Sequence, residues 1–514
     1  MTSSTEKRKL RRRVFAEIAK MAYANEGAET LNNLPYRIVT GDDNPYRDTI
    51  FTERAIVGER LRVAMGMSLR GLNESASTAD GVDASLTGER YYEPPLIDII
   101  KFACNKCPEN KVFITDGCQG CIEQRCLEVC PKKCITMKNG KSTIDEFACI
   151  KCGRCMTACQ YHAIIRQERP CAKACGINAI REDEYGKAEI DQDKCGQCGM
   201  CLASCPFAAI VDKGQVYQTI RAMEEGEKVF AIVAPSIAGQ FGKELTDTKM
   251  REAFDKLGFC DVVEVAIGAD LCAVEEAEHF VKNVPSKLDF MITSCCPAWS
   301  ILAKKMFPQM AQNVSMALTP MVLTARLIKR KYPDCKIAFI GPCLSKKNEA
   351  SRRTVKSYVD FTLTYEELAG MFAAKEVDFS IIEEKEPLRE ASGDGYGFAK
   401  TGGVADAVAK QIKKIDPDRD VKIVRAEGLT DCMKLLKEAS EGKYNGYLIE
   451  GMACPGGCIG GAGTLIPFNK ANYHLNVAID EATAPDPTEN PYIEWLTTVE
   501  NLHKTFEEAR NEEE

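Results

Sequence analysis

The placement of cysteine constrains this chain more than any other feature. The sequence has 26 cysteines among 514 residues, and most of them lie between Cys104 and Cys205. With only four histidines in the chain, thiolates must supply most ligands of any metal site in this block. Thiolate ligands select zinc, copper(I) or iron–sulfur clusters. In a long chain that shows no secretory signal, such a density favours metal binding over a disulfide framework.

The spacing of the cysteines distinguishes between these metals. Two runs, CIKCGRCMTAC at 149–159 and CGQCGMCLASC at 195–205, have the pattern C-x2-C-x2-C-x3-C. Paired C-x2-C motifs also occur in zinc sites. Three cysteines at this tight spacing followed by a fourth favour 4Fe–4S clusters, because the pattern is that of bacterial ferredoxins.

Two further runs complete the repeats. In two-cluster ferredoxins the fourth cysteine of one run ligates the other cluster. The last cysteines of the run GCQGCIEQRCLEVCP and of the shorter CAKAC lie 29 and 30 residues before Cys159 and Cys205, respectively, so each run pairs with a later one. CAKAC lacks two cysteines, which CNKC could supply; the alternative is a degenerate site without metal. The four predicted ligand sets are Cys118, Cys121, Cys126 and Cys159; Cys130, Cys149, Cys152 and Cys155; Cys175, Cys195, Cys198 and Cys201; and Cys104, Cys107, Cys171 and Cys205.

One cysteine of the block belongs to none of these sets. Cys134 lies four residues after Cys130, and the other repeats have Ala163, Ala179 and Ala209 at the same offset. We therefore predict that Cys134 fills a small packing position and binds no metal.

The rest of the chain predicts a multidomain protein of the α+β and α/β classes. Short apolar strands (KVFAIVA, KLDFMIT, CKIAFIG and YNGYLIE) alternate with helical runs, as in a parallel sheet with crossover helices. The predicted parts are a mostly helical segment at 1–95, ferredoxin-like units at 96–165 and 166–220, an α/β domain at 228–480, and a helical tail at 481–514.

Charge and hydropathy exclude some functions. A net charge of −8 argues against nucleic acid as the main partner. No apolar run approaches the ~18 residues of a membrane span. The basic N-terminus lacks the apolar stretch of a secretory signal, so we expect a cytoplasmic protein.

Three more cysteine motifs follow predicted strands of the large domain: TSCCPAW, GPCLSKKNE and EGMACPGGCIGGAG. Functional groups gather at the carboxyl ends of parallel strands, so these motifs should converge. Four of their cysteines would complete a 4Fe–4S cubane and one would be spare, while Lys346 could donate to an anionic ligand. The five cysteines are Cys295, Cys296, Cys343, Cys454 and Cys458.

These motifs, in this order, resemble the H-cluster motifs of the iron-only (FeFe) hydrogenases. In that family a 4Fe–4S cubane shares one cysteine with a two-iron unit that carries carbon monoxide, cyanide and a bridging dithiolate. The resemblance implies that Cys458 bridges the two parts and that Lys346 hydrogen-bonds a cyanide. Met452 would pack near the bridging carbonyl. The implied cubane ligands are Cys296, Cys343, Cys454 and Cys458, and the implied pocket lining is Ala234, Pro235 and Ser236.

The resemblance also assigns a proton relay. Cys295 would be the proton donor and acceptor beside the two-iron unit, and a thiol suits this task because its pKa is tunable. Glu276 and Ser315 match the next relay positions, and Glu349 also matches the family pattern.

Several positions depart from the family. The outer acidic relay position falls on His279 or Glu278, and the basic position beyond it falls on Asn283, with Lys282 adjacent. The usual SPQ segment reads TPM at 319–321, and Ala462 replaces a common glycine. These changes indicate a divergent branch.

The resulting hypothesis is reversible conversion of two protons and two electrons to H2. Three to four accessory 4Fe–4S clusters would carry electrons to or from ferredoxin or a similar small redox protein. Hydrogenase maturation proteins would supply the two-iron unit. One alternative is an H2-sensing homologue with low turnover, and another is an assembly factor that lacks the two-iron unit. No dinucleotide-binding fingerprint is present, so NADH should not serve directly.

Overall fold

The computed structural model describes residues 5–43, 46–73, 75–490 and 492–493. Its N-terminal part contains three helices. The helices are α1 (Glu6–Tyr23), α2 (Glu29–Ile38) and α3 (Ile50–Ala64).

The cysteine-rich block is built of short antiparallel pairs. Strand β2 pairs with β5 and β3 with β4, while β6 pairs with β7 and β1 with β8. This arrangement confirms the predicted ferredoxin-like architecture. The elements are β1 (Ile97–Ile99), β2 (Asn110–Ile114), α4 (Arg125–Glu128), β3 (Ile135–Lys138), β4 (Lys141–Ile144), α5 (Arg154–Ala158), β5 (Ile164–Glu168), α6 (Pro170–Lys173), β6 (Ile180–Glu182), β7 (Ala188–Ile190), α7 (Met200–Ser204) and β8 (Ile210–Asp212).

The large domain alternates strands and helices, which confirms the α/β class. The first elements are α8 (Val216–Glu224), β9 (Val229–Val233), α9 (Asp247–Asp255), β10 (Asp261–Glu264), α10 (Val265–Asn283), β11 (Met291–Ile292), α11 (Pro297–Met306), α12 (Pro320–Lys331) and β12 (Lys336–Ile340). They are followed by α13 (Leu344–Ser351), β13 (Phe361–Leu363), α14 (Tyr365–Ala374), α15 (Gly393–Gly397), α16 (Gly403–Ile415), β14 (Lys422–Glu427), α17 (Leu429–Ser440), β15 (Tyr447–Met452) and α18 (Phe468–Asp480).

Its strands form two parallel sheets. One has the order β10-β9-β12-β13 and the other the order β11-β15-β14. All pairings in both sheets are parallel. The four predicted strands are all present as β9, β11, β12 and β15, although β11 has only two residues. The sequence patterns did not identify β10, β13 or β14.

The N-terminal helix α1 packs directly on the large domain, against α14. An added Cβ at Gly370 of α14 would lie 2.5 Å from the Cβ of Phe15, so glycine permits this close approach. Phe15 and Ile18 are buried in the same hydrophobic core as Leu368. The N-terminal segment therefore shares a core with the α/β domain.

A buried network of charges joins three parts of the chain. Arg11 of α1 lies 3.2 Å from Asp212 of β8 and 2.5 Å from Glu366 of α14. Lys347 of α13 lies 3.0 Å from Asp212 and 2.9 Å from Glu367. Each buried charge thus has an opposite partner, as a water-poor interior requires. The network fixes α1 and the second ferredoxin-like unit against α13, the helix that also carries the predicted site lysine.

The described helices include none with the length and apolar character needed to cross a membrane. Of the predicted tail at 481–514, most residues lie outside the described ranges. The described part contains the short 3-10 helix Pro487–Glu489. The proposed domain boundaries stay predictions.

Candidate active site

A cavity of about 620 Å³ lies between the carboxyl ends of the two parallel sheets. Strands β9 and β12 of one sheet and β11 and β15 of the other each end at its wall. The motifs predicted to converge therefore do meet here. The predicted site residues that line the cavity are Ala234, Pro235, Ser236, Cys295, Cys296, Cys343, Lys346, Met452 and Cys458.

Two of the thiols are held at the N-terminal ends of helices. Cys296 is the N-cap residue of α11, and Cys343 is the N-cap residue of α13. Both side chains therefore sit where backbone N–H groups and the helix dipole favour negative charge. Thiolates and an anionic cluster would be stabilised at such positions.

A glycine-rich turn positions the other two thiols, Cys454 and Cys458. Gly457 between them has a φ of 87°, and an added Cβ there would lie 2.7 Å from the backbone nitrogen of Thr401. Only glycine combines this conformation with this space. Cys454 lies close enough to Cys343 and Cys458 for their charges to raise its pKa, after burial as the main cause. Four converging thiols with a glycine cradle fit the ligand set of a cubane.

Lys346 is a buried cation at the wall of this cavity. Its Nζ donates to Thr319 Oγ1 at 3.0 Å and to Glu349 Oε2 at 2.7 Å. Burial is the largest single effect and lowers the pKa of Lys346, but the charge and hydrogen bond of Glu349, together with the nearby Cys343 and Cys295, raise the pKa overall. Lysine has three N–H donors, and these bonds occupy two of them. Thr319, the first residue of the divergent TPM segment, thus orients Lys346, while Met321 lines the cavity.

Cys295 faces the cavity as a neutral thiol. Burial, followed by the neighbouring charges of Glu276 and Cys296, raises its pKa well above the ordinary value. Glu276 of α10 is itself fully buried. Its Oε1 accepts hydrogen bonds from the backbone N–H of Ser294 at 3.0 Å and from the Ser294 hydroxyl at 3.1 Å. Burial still raises the pKa of Glu276 to about 7.

The predicted relay continues from Glu276 towards the protein surface. The Ser315 hydroxyl approaches the Glu276 carboxyl and partly offsets the burial effect on its pKa. The second carboxyl oxygen of Glu276, Oε2, accepts no hydrogen bond of good geometry from the described residues. One residue beyond Ser315, Met316 is 59% exposed. The inner relay positions Cys295, Glu276 and Ser315 therefore lie together in the interior, and the residue after Ser315 is at the surface.

The outer relay positions lie on the last turns of α10. Glu278 and Lys282 are exposed or half-buried along its outer face, and His279 and Asn283 lie on the same turns. The Asn283 amide donates to the His279 carbonyl at 2.8 Å, which satisfies the helix end locally. Which of these residues continues the relay stays a prediction.

Sequence reasoning did not identify some residues of the site. Ser294 directly precedes Cys295, and its small polar side chain next to the motif was a usable signal. Phe398 and Ala399, just after α15, also line the cavity. They lie far along the chain from all three cysteine motifs, so only the tertiary fold reveals them.

Three further cavities, each of about 340 Å³, occupy the cysteine-rich block. Among the described residues, no three His, Cys, Asp or Glu side chains converge on a single metal ion. In a cubane each thiolate binds a different iron, so its ligands surround a cavity. We number these cavities after the ligand sets that line them. The second is lined by Cys130, Cys149, Cys152 and Cys155, the third by Cys175, Cys195, Cys198 and Cys201, and the fourth by Cys104, Cys107, Cys171 and Cys205.

The four cysteines of the first predicted ligand set are brought together less completely than those of the other sets. The backbone N–H of Ser142 lies 3.5 Å from Cys118 Sγ, and its hydroxyl lies 3.5 Å from Cys126 Sγ. Cys121 is exposed, and Cys159 packs at the edge of the small core that holds Cys126. All four assignments as ligand sets stay predictions.

Cys134 lies in the second cluster cavity. It lines the same space as Cys130 and Cys149, and its Sγ is 3.4 Å from Cys130 Sγ. The thiol is buried, as its predicted packing role requires. The sequence did not predict that the sulfur of Cys134 would lie next to the sulfur of the predicted ligand Cys130.

The loop of the third cysteine set packs against the active-site wall. Ser345 of α13 donates its hydroxyl to the carbonyls of Gly196 at 3.2 Å and Gln197 at 3.1 Å. An added Cβ at Gly199 would overlap the side chain of Leu344, so glycine permits this close approach too. Because α13 begins directly after Cys343, the third cluster cavity adjoins the active-site thiols.

Comparison with known proteins agrees with this geometry. Residues 227–462 match the family described as iron only hydrogenase large subunit, C-terminal domain. Residues 142–165 and 187–210 match families described as 4Fe-4S binding domain.

Curated relatives are of two kinds. Iron hydrogenase 1 of Clostridium pasteurianum is 29% identical over 72% of this chain and 73% of its own length. The NADP-reducing hydrogenase subunit HndD of Solidesulfovibrio fructosivorans is 28% identical over 55% of this chain and 59% of its own. The cytosolic Fe-S cluster assembly factor NAR1 of Kluyveromyces lactis is 22% identical over 39% of this chain and 58% of its own.

A solved structure of a variant of [FeFe]-hydrogenase HydA1 from Chlamydomonas reinhardtii is 21% identical to this chain, with a TM-score of 0.45. The match covers 52% of this chain and 89% of the solved one. The family matches and the curated relatives carry the assignment. The chain is therefore homologous to the FeFe hydrogenases and to the cytosolic Fe–S cluster assembly factors, with matches to 4Fe–4S binding domains followed by a match to the C-terminal domain of the iron-only hydrogenase large subunit.

Proposed function

We propose that this protein is an FeFe hydrogenase that interconverts two protons and two electrons with H2. The observation that carries the proposal is the cavity lined by three of the four predicted cubane ligands, Cys296, Cys343 and Cys458. The cavity leaves space next to Cys458, and Cys295 and Lys346 both line this space. Cys296, Cys343, Cys454 and Cys458 would hold the H-cluster, which when bound supplies the centre where protons and electrons combine.

The residues around this space would have separate roles in ligand binding, packing and proton transfer. Lys346, held by Thr319 and Glu349, would bind an anionic ligand of the two-iron unit with its remaining N–H. Met452 and the Ala234–Pro235–Ser236 segment pack around the space and exclude water. Cys295 would pass protons to and from Glu276, whose pKa near 7 suits transfer in both directions at neutral pH.

Electrons would reach the site through the cysteine-rich block. The third cluster cavity adjoins the active site through Ser345 and Gly199. The first ferredoxin-like unit exposes Ile122 and Phe147 fully beside its predicted cluster ligands. Lys132 and Lys151 line the second cluster cavity. An apolar surface with lysines suits an acidic small redox protein such as ferredoxin. We place the protein in the cytoplasm.

Two alternatives have support from particular observations. The similarity to Fe–S cluster assembly factors favours a chain that carries clusters without the two-iron unit. The divergent TPM segment beside Lys346 favours an H2 sensor with low turnover. The retained Cys295 and its buried partner Glu276 favour catalysis over both.

The test uses full-length protein produced together with the hydrogenase maturation proteins. We expect infrared bands of bound carbon monoxide and cyanide, together with H2 production from reduced ferredoxin and H2 uptake. Bands without measurable turnover would support the sensor. Absence of the bands in protein with its accessory clusters intact would support the assembly factor.

A further inference from the structure

Cys134 occupies a repeated position that otherwise holds alanine. It lies four residues after Cys130, as Ala163, Ala179 and Ala209 lie four residues after their cysteines. The alanines are 2%, 1% and 2% exposed, and Cys134 is 8% exposed. A small side chain satisfies packing in three copies of the repeat, so packing alone does not call for a thiol in the fourth.

In two of the alanine copies, the backbone N–H at this position lies close to the sulfur of the preceding cysteine. The backbone N–H of Ala179 lies 3.3 Å from Cys175 Sγ, and that of Ala209 lies 3.4 Å from Cys205 Sγ. The backbone at this position therefore lies close to that sulfur in both of these copies. In the one copy with a thiol, Cys134 Sγ does lie 3.4 Å from Cys130 Sγ.

This separation identifies the kind of contact. A disulfide bond is about 2.05 Å long, so the two sulfurs are not bonded. They are within the range of a hydrogen bond between sulfur atoms. A thiolate that binds iron has no proton to donate, and Cys134 belongs to none of the predicted ligand sets. Cys134 is then the donor and Cys130 the acceptor.

We propose that Cys134 is a positioning residue that tunes one accessory cluster through an S–H···S hydrogen bond to Cys130. The inference rests on the proposed function only for the presence of the cluster held by Cys130, Cys149, Cys152 and Cys155. Hydrogen bonds to the sulfurs help to set the reduction potential of an iron–sulfur cluster. A donor to a ligand thiolate reduces its negative charge and favours the reduced cluster, so Cys134 raises the potential of this cluster.

The consequence concerns electron entry. The second cluster cavity lies in the first ferredoxin-like unit, which also carries the exposed Phe147. A raised potential at this point makes the cluster a better acceptor from a one-electron donor. The hydrogen bond therefore adjusts transfer into the chain without changing the active site.

The experiment is a redox titration of the anaerobic holoprotein, followed by electron paramagnetic resonance. Cys134→Ala should keep the iron content and shift one cluster to a lower midpoint potential, leaving the other clusters unchanged. Cys134→Ser should retain part of the shift, because a hydroxyl also donates. Cys335→Ala, which removes a buried thiol of the large domain, is the matched control and should change no potential.

A gain variant tests the same geometry at another cluster. Ala179→Cys places a thiol opposite Cys175 and should raise the potential of the third cluster alone. Pulsed electron–nuclear double resonance should detect an exchangeable proton coupled to the second cluster in the wild type and not in Cys134→Ala.

Two results would overturn the proposal. Unchanged potentials in Cys134→Ala would show that the thiol only packs. Loss of about four irons in Cys134→Ala, with iron retained in Cys130→Ala, would make Cys134 the ligand. Neither result depends on whether the infrared bands of the active site are present, so failure of the proposed function is seen separately.

Discussion

The Nζ of Lys346 lies 2.7 Å from the Glu349 Oε2, one turn further along α13, and both groups are buried. Removing one partner of a buried ion pair typically costs ~3–5 kcal/mol, because the other charge is left uncompensated. Glu349→Gln should therefore destabilise the large domain and lower turnover. The double variant Lys346→Met/Glu349→Gln should recover much of the stability but none of the activity. Differential scanning calorimetry and H2 assays measure both effects; additive losses in the double variant would contradict the coupling.

Cys295 and Cys296 should respond differently to substitution. Cys295→Ala should keep the iron content and the infrared bands yet lower turnover, because a general acid typically contributes ~10²–10⁴-fold. Cys296→Ala should lose cubane iron, because it removes a predicted ligand. Cys295→Asp should restore part of the rate, since a carboxyl group also carries protons. Comparable iron loss in both alanine variants would refute this division of roles.

Glu276 gives the stability a defined pH dependence. Burial raises its pKa from 4.5 to about 7, so between these values the folded protein holds a proton that the unfolded chain has released. Its contribution is full below the unfolded pKa and is lost as the pH rises through about 7. Glu276→Gln should thus become more stable relative to wild type as the pH rises, by an amount on the order of 3 kcal/mol.

The measurement is the thermal unfolding midpoint of anaerobic protein across this pH range. Glu278→Gln is the matched control, because Glu278 lies on the same helix but is not fully buried. It should show no such trend. A constant difference between Glu276→Gln and wild type at every pH would rule out the buried, protonated carboxyl.

The fourth accessory site can be tested by iron analysis. Five cubanes and a two-iron unit hold about 22 irons in all. Cys104 and Cys107 line one cavity with Cys171 and Cys205, so replacing the first two with serine should leave about 18. The double variant Cys260→Ser/Cys335→Ala removes two thiols that belong to no set and should keep the full content. A wild-type value near 18 would show that the fourth cluster is absent.

Electron entry should depend on the exposed face of the first ferredoxin-like unit. Phe147 is fully exposed there, and Phe147→Glu should raise the KM for reduced ferredoxin about tenfold, the scale of one aromatic hot spot. Turnover with a reduced viologen should not change. Ile381→Glu, at an exposed position of the large domain, is the control. Rapid NADH oxidation by the isolated protein would contradict entry by this route alone.

The sequence by itself determined that this is a chain of the iron–sulfur type. Predicted cluster ligands within one run are separated by only two to four residues, so their spacing is a local property that can be read directly. The strands before TSCCPAW, GPCLSKKNE and EGMACPGG were also predictable, because short apolar runs between turn residues are local signals. These strands also predicted that Cys296, Cys343 and Cys458 converge, because functional groups gather at the carboxyl ends of parallel strands.

Only the tertiary structure decided which distant residues meet. It brought Cys104 and Cys107 together with Cys171, placed Thr319 against Lys346, and aimed Cys134 at Cys130. It also divided the strands between two sheets and buried Glu276 beside Cys295. Burial, pKa and hydrogen-bond partners depend on long-range packing, in which each side chain's surroundings come from several separate segments. The sequence therefore carries the predicted ligands, while the fold sets their neighbours and thereby the burial and hydrogen bonds on which their protonation depends.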